Sequence, residues 1–184
     1  MKKSSKIIDR TAQMSRREAL DVMARDHALL REHGYAIYLA PRIGIREQSR
    51  ILGEHVVTEN DLRSGILPDD TIALGTYGFD IWGGKKAFSG LSQAERHVPG
   101  YGIPYRALIP RDVDGLLIAG KAISGTHIAM SAYRVMPIVG SIGQAAGIAA
   151  ALCIKQKRRP GHIAVDEVRN ILESQRHQVK LRFD

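Results

Sequence analysis

Gly115-Leu-Leu-Ile-Ala-Gly120-Lys121-Ala122 comes within one residue of a phosphate-binding loop. Ala122, however, stands where that loop needs a hydroxyl for Mg²⁺, and four apolar residues fill the place of a turn that offers N–H groups to phosphate. Gly-x-Gly-x-x-Gly is absent, because Gly100 and Gly102, two apart, are followed by Tyr105 where a third glycine belongs. The seven histidines, at 27, 33, 55, 97, 127, 162 and 177, include no His-x-x-x-His pair, so no metal site is expected. No carboxylate pattern marks an acid/base couple. The most specific local signal is Gly140, Gly143 and Gly147, whose spacings of three and four leave one face of a helix nearly bare, open to a backbone or a flat ligand.

The elements that must carry these residues follow from patterning. Residues 135–154 run for twenty positions without a charge and are rich in Ala and Gly. The length suits a membrane span, but Pro137, Ser141, Gln144 and five alanines weaken the drive into lipid, so a buried helix is expected. Leu116-Leu-Ile-Ala119, an apolar run with turn glycines at its ends, predicts a strand buried on both faces. Ser15-Arg-Arg-Glu18 has capping-box spacing and opens a helix that Gly34 stops; Tyr35-Ala-Ile-Tyr-Leu-Ala40 is β-prone. Residues 50–52 and 55–57 predict short strands, Thr58-Glu-Asn-Asp61 a helix start ended by Gly65, and Asp69-Asp70 a further turn. Residues 75–102, with seven glycines, read as turns and short strands. Val165, Val168, Ile171 and Leu172 share one side of a last amphipathic helix.

Composition sets the outer bounds. The 184 residues are 44% apolar and 25% charged, the make-up of an ordinary globular protein of one domain with at most an appendage. Cys153 alone can form no internal disulfide, zinc cage or iron–sulfur ligand set, and reads as a small apolar filler. With no signal-peptide pattern after Met1, a cytoplasmic location is expected. The net charge of +8 sits at the ends: 11 basic against 6 acidic residues in 1–50, 8 against 9 in 51–152, and 8 against 4 in 153–184. Too few aromatics interleave with these basic residues for a nucleic-acid groove, and solvated helix ends account for them better.

Taken in order, Tyr101-Gly-Ile-Pro-Tyr-Arg106, Leu116-Leu-Ile-Ala-Gly-Lys121, Ile123-Ser-Gly-Thr-His127, Arg134-Val-Met-Pro137 and Gly143-Gln-Ala-Ala-Gly147 resemble the C-terminal part of FAD-dependent oxidoreductases of the glutathione-reductase fold type. Upstream, Gly44-Ile-Arg-Glu-Gln-Ser-Arg-Ile-Leu-Gly53, Thr58-Glu-Asn-Asp61 and Asp80-Ile-Trp-Gly83 are similar to the substrate-domain part of the same branch, so the resemblance spans residues 42–152. It implies an α/β partial two-domain flavoprotein fold, a substrate-domain sheet joined to the closing strand and helix of an FAD-binding domain. The divisions expected are a basic tail (1–14), a substrate-domain portion (15–104), the C-terminal part of the FAD domain (105–154) and a basic helix and tail (155–184). Two departures stand out: the Gly-rich turn for the FAD pyrophosphate is missing, so the chain resembles half an enzyme, and Trp82 stands where the branch has histidine.

The resemblance further implies hydride transfer between a small organic substrate and flavin, with FAD as cofactor. It places Val135 and Met136 at the helix start facing the N1/C2=O edge of the flavin, Gly140 and Gly143 where the helix lies close, and Gly120 and Lys121 near the ribityl chain. Arg134 would add a fixed positive charge and His127 a proton donor or acceptor. Against these stand plainer readings: an ion pair for Arg134, a hydrogen-bonded loop residue for His127, a solvent-pointing Lys121. Arg46 and Arg50 match positions that would meet an anionic substrate, or they form structural salt bridges. Tyr101 and Tyr105 read as packing residues. A partner chain carrying the missing half, or a homo-oligomer, is the expected partner. A non-catalytic interaction module that keeps the flavoprotein core is the alternative.

Overall fold

The computed structural model describes residues 47, 49–81 and 96–176. The chain divides into two compact units, residues 1–48 and 49–184, and every helix and strand among the described residues lies in the second. The expected helix from Ser15, the strand at 35–40, Arg46 and Trp82 lie outside the described residues.

Helix α1, Glu59–Ser64, forms where the capping-box spacing predicts it: the Thr58 hydroxyl accepts from the Asp61 N–H, and the Asp61 carboxylate accepts from the Thr58 N–H. Gly65, at φ 67°, ends it in the left-handed region that a Cβ disfavours. Strand β1, Thr71–Gly75, then pairs antiparallel with β2, Tyr101–Pro104, in the register Ala73↔Ile103, Leu74↔Gly102 and Gly75↔Tyr101. A 3-10 turn, Tyr105–Leu108, continues directly from β2. Helix α2, His127–Tyr133, and helix α3, Met136–Gln156, follow almost without a break, and α4, Val165–Arg176, closes the described chain. These helices and the small sheet are consistent with a partial α/β flavoprotein fold.

One core joins these elements. Leu62 of α1, Ile103 of β2, Met130 and Tyr133 of α2, Ile142 of α3 and Val168 of α4 are all fully or almost fully buried. Helix α3 packs on β1 and α4, while α1 packs on β2. The contact between sheet and α3 is close enough to demand glycine: a Cβ on Gly75 would lie 2.5 Å from the Tyr101 ring and 2.8 Å from Ile138 Cδ1. The tyrosines are packing residues, as expected; Tyr101 donates to the Tyr77 carbonyl and Tyr105 to the Pro160 carbonyl, and burial pushes both phenols up.

Three expectations are corrected. Residues 116–119 form no strand: Leu116 is 42% exposed, Ala119 is exposed, and the Ile118 N–H to the Leu108 carbonyl (2.8 Å) is the cross-chain backbone bond that ties the run down. An apolar run becomes a strand only beside another strand, and among the described residues none flanks this one. Residues 50–52 and 55–57 likewise stay irregular; the isolated bridges of this stretch are Val57↔Gly125 and, between the two segments, Gly53↔Pro110. Helix α3 forms over the expected stretch but is not wholly buried. Its inner stripe is Ile138, Ile142, Ala145, Ala146, Ala149 and Leu152, while Met136 is 87% and Ile154 81% exposed. By length and composition it is long and apolar enough to cross a membrane, with a third of its most apolar window buried.

Candidate functional site

The residues singled out for chemistry gather where α2 meets α3. Val57 N–H donates to the Ser124 carbonyl (3.1 Å) and Thr126 N–H to the Val57 carbonyl (2.8 Å), so the chain entering α1 and the chain entering α2 run side by side. Gly125 makes that passage possible, since a Cβ there would lie 2.5 Å from the Tyr133 hydroxyl. Thr126 caps α2, accepting from the Ala129 N–H (3.2 Å), and its own hydroxyl donates to Glu59 Oε2 (3.1 Å). His127 is thereby the first residue of α2, with its side chain exposed.

Arg134 ends α2, its N–H donating to the Met130 carbonyl (3.1 Å), and stands one residue before Val135, the N-cap of α3. Its guanidinium is only 12% exposed and donates to the Asp80 carbonyl (2.7 Å) and to Asp80 Oδ2 (3.3 Å). The ion-pair reading of Arg134 therefore holds, and the pair is half-buried rather than on the surface. Arg50 Nε donates to the Gly125 carbonyl (2.8 Å), which ties it to the turn before His127.

The start of α3 has no side-chain cap. Val135 has no polar group to give, and Pro137 in the first turn lacks an N–H, so the free backbone donors there are those of Met136 and Ile138, with Met136 almost fully exposed. Beside this turn lies the 3-10 turn Gly120–Ala122, held by the Ile51 N–H donating to the Ala122 carbonyl (3.2 Å). Gly120 has φ 75°, and a Cβ on it would sit 3.7 Å from Val139 Cγ1. Lys121 in the same turn is exposed.

Gly140, Gly143 and Gly147 follow on α3, and a Cβ at any of them would meet nothing within 4 Å among the described residues. Glycine inside a helix costs about 1 kcal/mol against alanine. Nothing in the described packing requires these three.

The structure thus joins Gly120, Lys121, Arg134, Val135, Met136, Gly140 and Gly143 around one end and one face of α3, with His127 and Arg50 one helix away. Arg46 falls outside the described residues. Sequence reasoning missed Asp80 as the partner of Arg134 and Glu59 as the partner of Thr126. For Asp80 the available signal was its place beside the departure at Trp82. Elsewhere, burial tends to raise the Asp70 carboxyl, but hydrogen bonds from the Arg106 side chain and backbone together with its charge outweigh this and hold it below the usual range. Burial pushes the Cys153 thiol up. Among the described residues no group of three or more His, Cys, Asp or Glu side chains could hold a metal ion.

A glycine turn thus packs against the uncapped start of an open-faced helix, on a sheet-and-helix core. The chain belongs to the family of FAD-dependent oxidoreductases, whose sequence model matches residues 6–172. It is accordingly an FAD oxidoreductase in the general sense of that family, with FAD as the cofactor. The match extends beyond residues 42–152 at both ends and includes most of α4. No curated protein and no solved structure matches the chain.

Proposed function

We propose that this chain forms the flavin-binding end of an FAD-dependent oxidoreductase of the glutathione-reductase fold type, and that a partner chain supplies the Gly-rich pyrophosphate site. FAD, when bound, supplies the capacity to accept or release a hydride at N5. The residues present fit that end of the cofactor. Two backbone N–H groups at the first turn of α3 point out of a helix whose dipole is positive there, which favours negative charge beside them. At Gly140 and Gly143 an added Cβ would meet no described atom within 4 Å, which supports close approach of a flat ring to the helix backbone. Gly120 and Lys121 lie alongside that first turn, and in this reading they meet the ribityl chain.

In this reading Arg134 and the first turn of α3 hold positive charge at one edge of the bound ring, and His127 accepts or donates the proton that accompanies hydride transfer. Arg50, with Arg46, receives an anionic group of a small organic substrate. Residues 15–104 would belong to the substrate domain and 105–154 to the flavin domain. The protein would work in the cytoplasm, away from membranes and nucleic acid.

The observation that carries the proposal is the juxtaposition of the uncapped α3 start, the Gly120 turn and a glycine face that the described packing does not need. The test compares FAD with riboflavin, which has the ring but no pyrophosphate, by fluorescence titration of the full chain. Weak binding of both, equal within about threefold, is expected. FAD binding a hundredfold tighter than riboflavin would mean that this chain holds the pyrophosphate itself and would remove the partner from the proposal. Binding of neither would remove the flavin site.

A further inference from the structure

Arg134 sits at the α2–α3 junction, yet among the described residues its guanidinium is held from neither helix: both hydrogen bonds go to Asp80, 54 residues earlier. Asp80 is itself delivered by a fixed segment. Tyr101 donates to the Tyr77 carbonyl (3.1 Å), the buried Phe79 donates its N–H to the Arg96 carbonyl (2.9 Å), and a Cβ on Gly78 would lie 2.3 Å from the Arg96 carbonyl oxygen. The carbonyl contact gives the guanidinium a direction without changing its charge. The carboxylate contact, on a side chain 28% exposed, sets a negative charge against it.

We propose that Asp80 is the positioning residue for Arg134, fixing its guanidinium at the start of α3 and setting how strongly that charge favours the reduced, anionic form of flavin over the oxidised form. The inference rests on the flavin reading of the α3 start. Its content is a sign. Asp80→Asn keeps the shape and the carbonyl contact but removes one negative charge, so the preference for reduced flavin should rise. Arg134→Ala removes the positive charge, so the preference should fall. A purely structural Asp80 gives the opposite result for Asp80→Asn, because a loosened arginine acts like a missing one.

The experiment uses the full chain with riboflavin, oxidised or reduced anaerobically by dithionite, which delivers two electrons while one proton is taken up at N5, leaving N1 as the anion at pH 8. Equilibrium dialysis gives the ratio of the two dissociation constants. The wild-type chain should favour the reduced form. Arg134→Ala should lower that preference, and Asp80→Asn raise it, each by about tenfold, the scale of a unit charge acting across a partly buried site. Asp80→Glu, which keeps the charge, should stay near wild type and serves if Asp80→Asn unfolds.

An unchanged or lowered preference in Asp80→Asn, with wild type still favouring reduced riboflavin, overturns the role of Asp80 and leaves the flavin reading intact. Equal affinity of wild type for both forms, or binding of neither, overturns the flavin reading and the inference with it. A flavin-free check is the double-mutant cycle of Asp80→Asn with Arg134→Lys in urea unfolding. Strictly additive losses there would show that the two side chains do not act on each other.

Discussion

Two sets of glycines divide the molecule. At Gly53, Gly75, Gly78, Gly102 and Gly125 an added Cβ would run into the chain's own atoms at 2.3–2.8 Å, whereas at Gly140, Gly143 and Gly147 it would meet nothing among the described residues. The first set is explained by the fold it permits: strand against helix, turn against tyrosine. The second is explained by nothing among the described residues, although each member sits at an interior helix position where alanine would be more stable. Among the described residues the sheet side is satisfied within itself, while the three glycines on the outer face of α3 meet none of them.

Four substitutions test this contrast. Gly75→Ala should have the largest effect, costing about 3 kcal/mol of unfolding free energy, because the Tyr101 ring and Ile138 would both have to move in a packed core. A loss below about 1 kcal/mol by urea denaturation would mean that the sheet and α3 fit loosely. Asp70→Asn should cost about 1–2 kcal/mol at neutral pH, the size of a charge-assisted hydrogen-bond set lost to a neutral one. Because the Asp70 carboxyl is held below its ordinary value of 3.8, its stabilising contribution is complete above that pH and disappears as the pH falls through the lower folded value. Wild type and Asp70→Asn should therefore converge in melting temperature in strong acid, and parallel curves would contradict the assignment.

On the open face the sign reverses. Gly143→Ala should stabilise the isolated chain by about 1 kcal/mol in thermal melts while weakening riboflavin binding. Destabilisation would show that the face is already occupied. Lys157→Gly is the smallest expected effect, a gain of about 0.5 kcal/mol, since Lys157 ends α3 at φ 53°, where glycine is free of Cβ strain.

The parts of this structure that were legible in the sequence are those specified by neighbours along the chain. Thr58 and Asp61 define the start of α1, Gly65 its end, the uncharged run α3, and the spacing of Val165, Val168, Ile171 and Leu172 α4. Strand β1 was hidden because the irregularity between Thr71 and Ala73 turns Ile72 and Ala73 both inward, breaking the alternation that marks a strand. Helix α2 was hidden because seven residues give less than two turns of periodicity. Residues 116–119 misled for the opposite reason: their apolar run is local, but strand pairing is supplied by other parts of a sheet. The same division runs through the site. Arg134, Val135 and Met136 are contiguous and readable together, while the carboxylate that holds Arg134 comes from 54 positions away, signalled only by its place beside the departure at Trp82.

Arg169 of α4 reaches back across the molecule, donating from Nε to the Thr71 carbonyl (2.8 Å) and from Nη2 to the Asp69 carbonyl, 98 and 100 positions earlier. Contacts that span so much chain close a large loop, and the entropy of that closure is set against the free energy they return. Helix α4 therefore acts as a clasp, tying the turn at 69–71 to the far end of the described chain. During synthesis the turn at 69–71 leaves the ribosome long before Arg169 does, and its two carbonyls stay with water until the last described helix emerges.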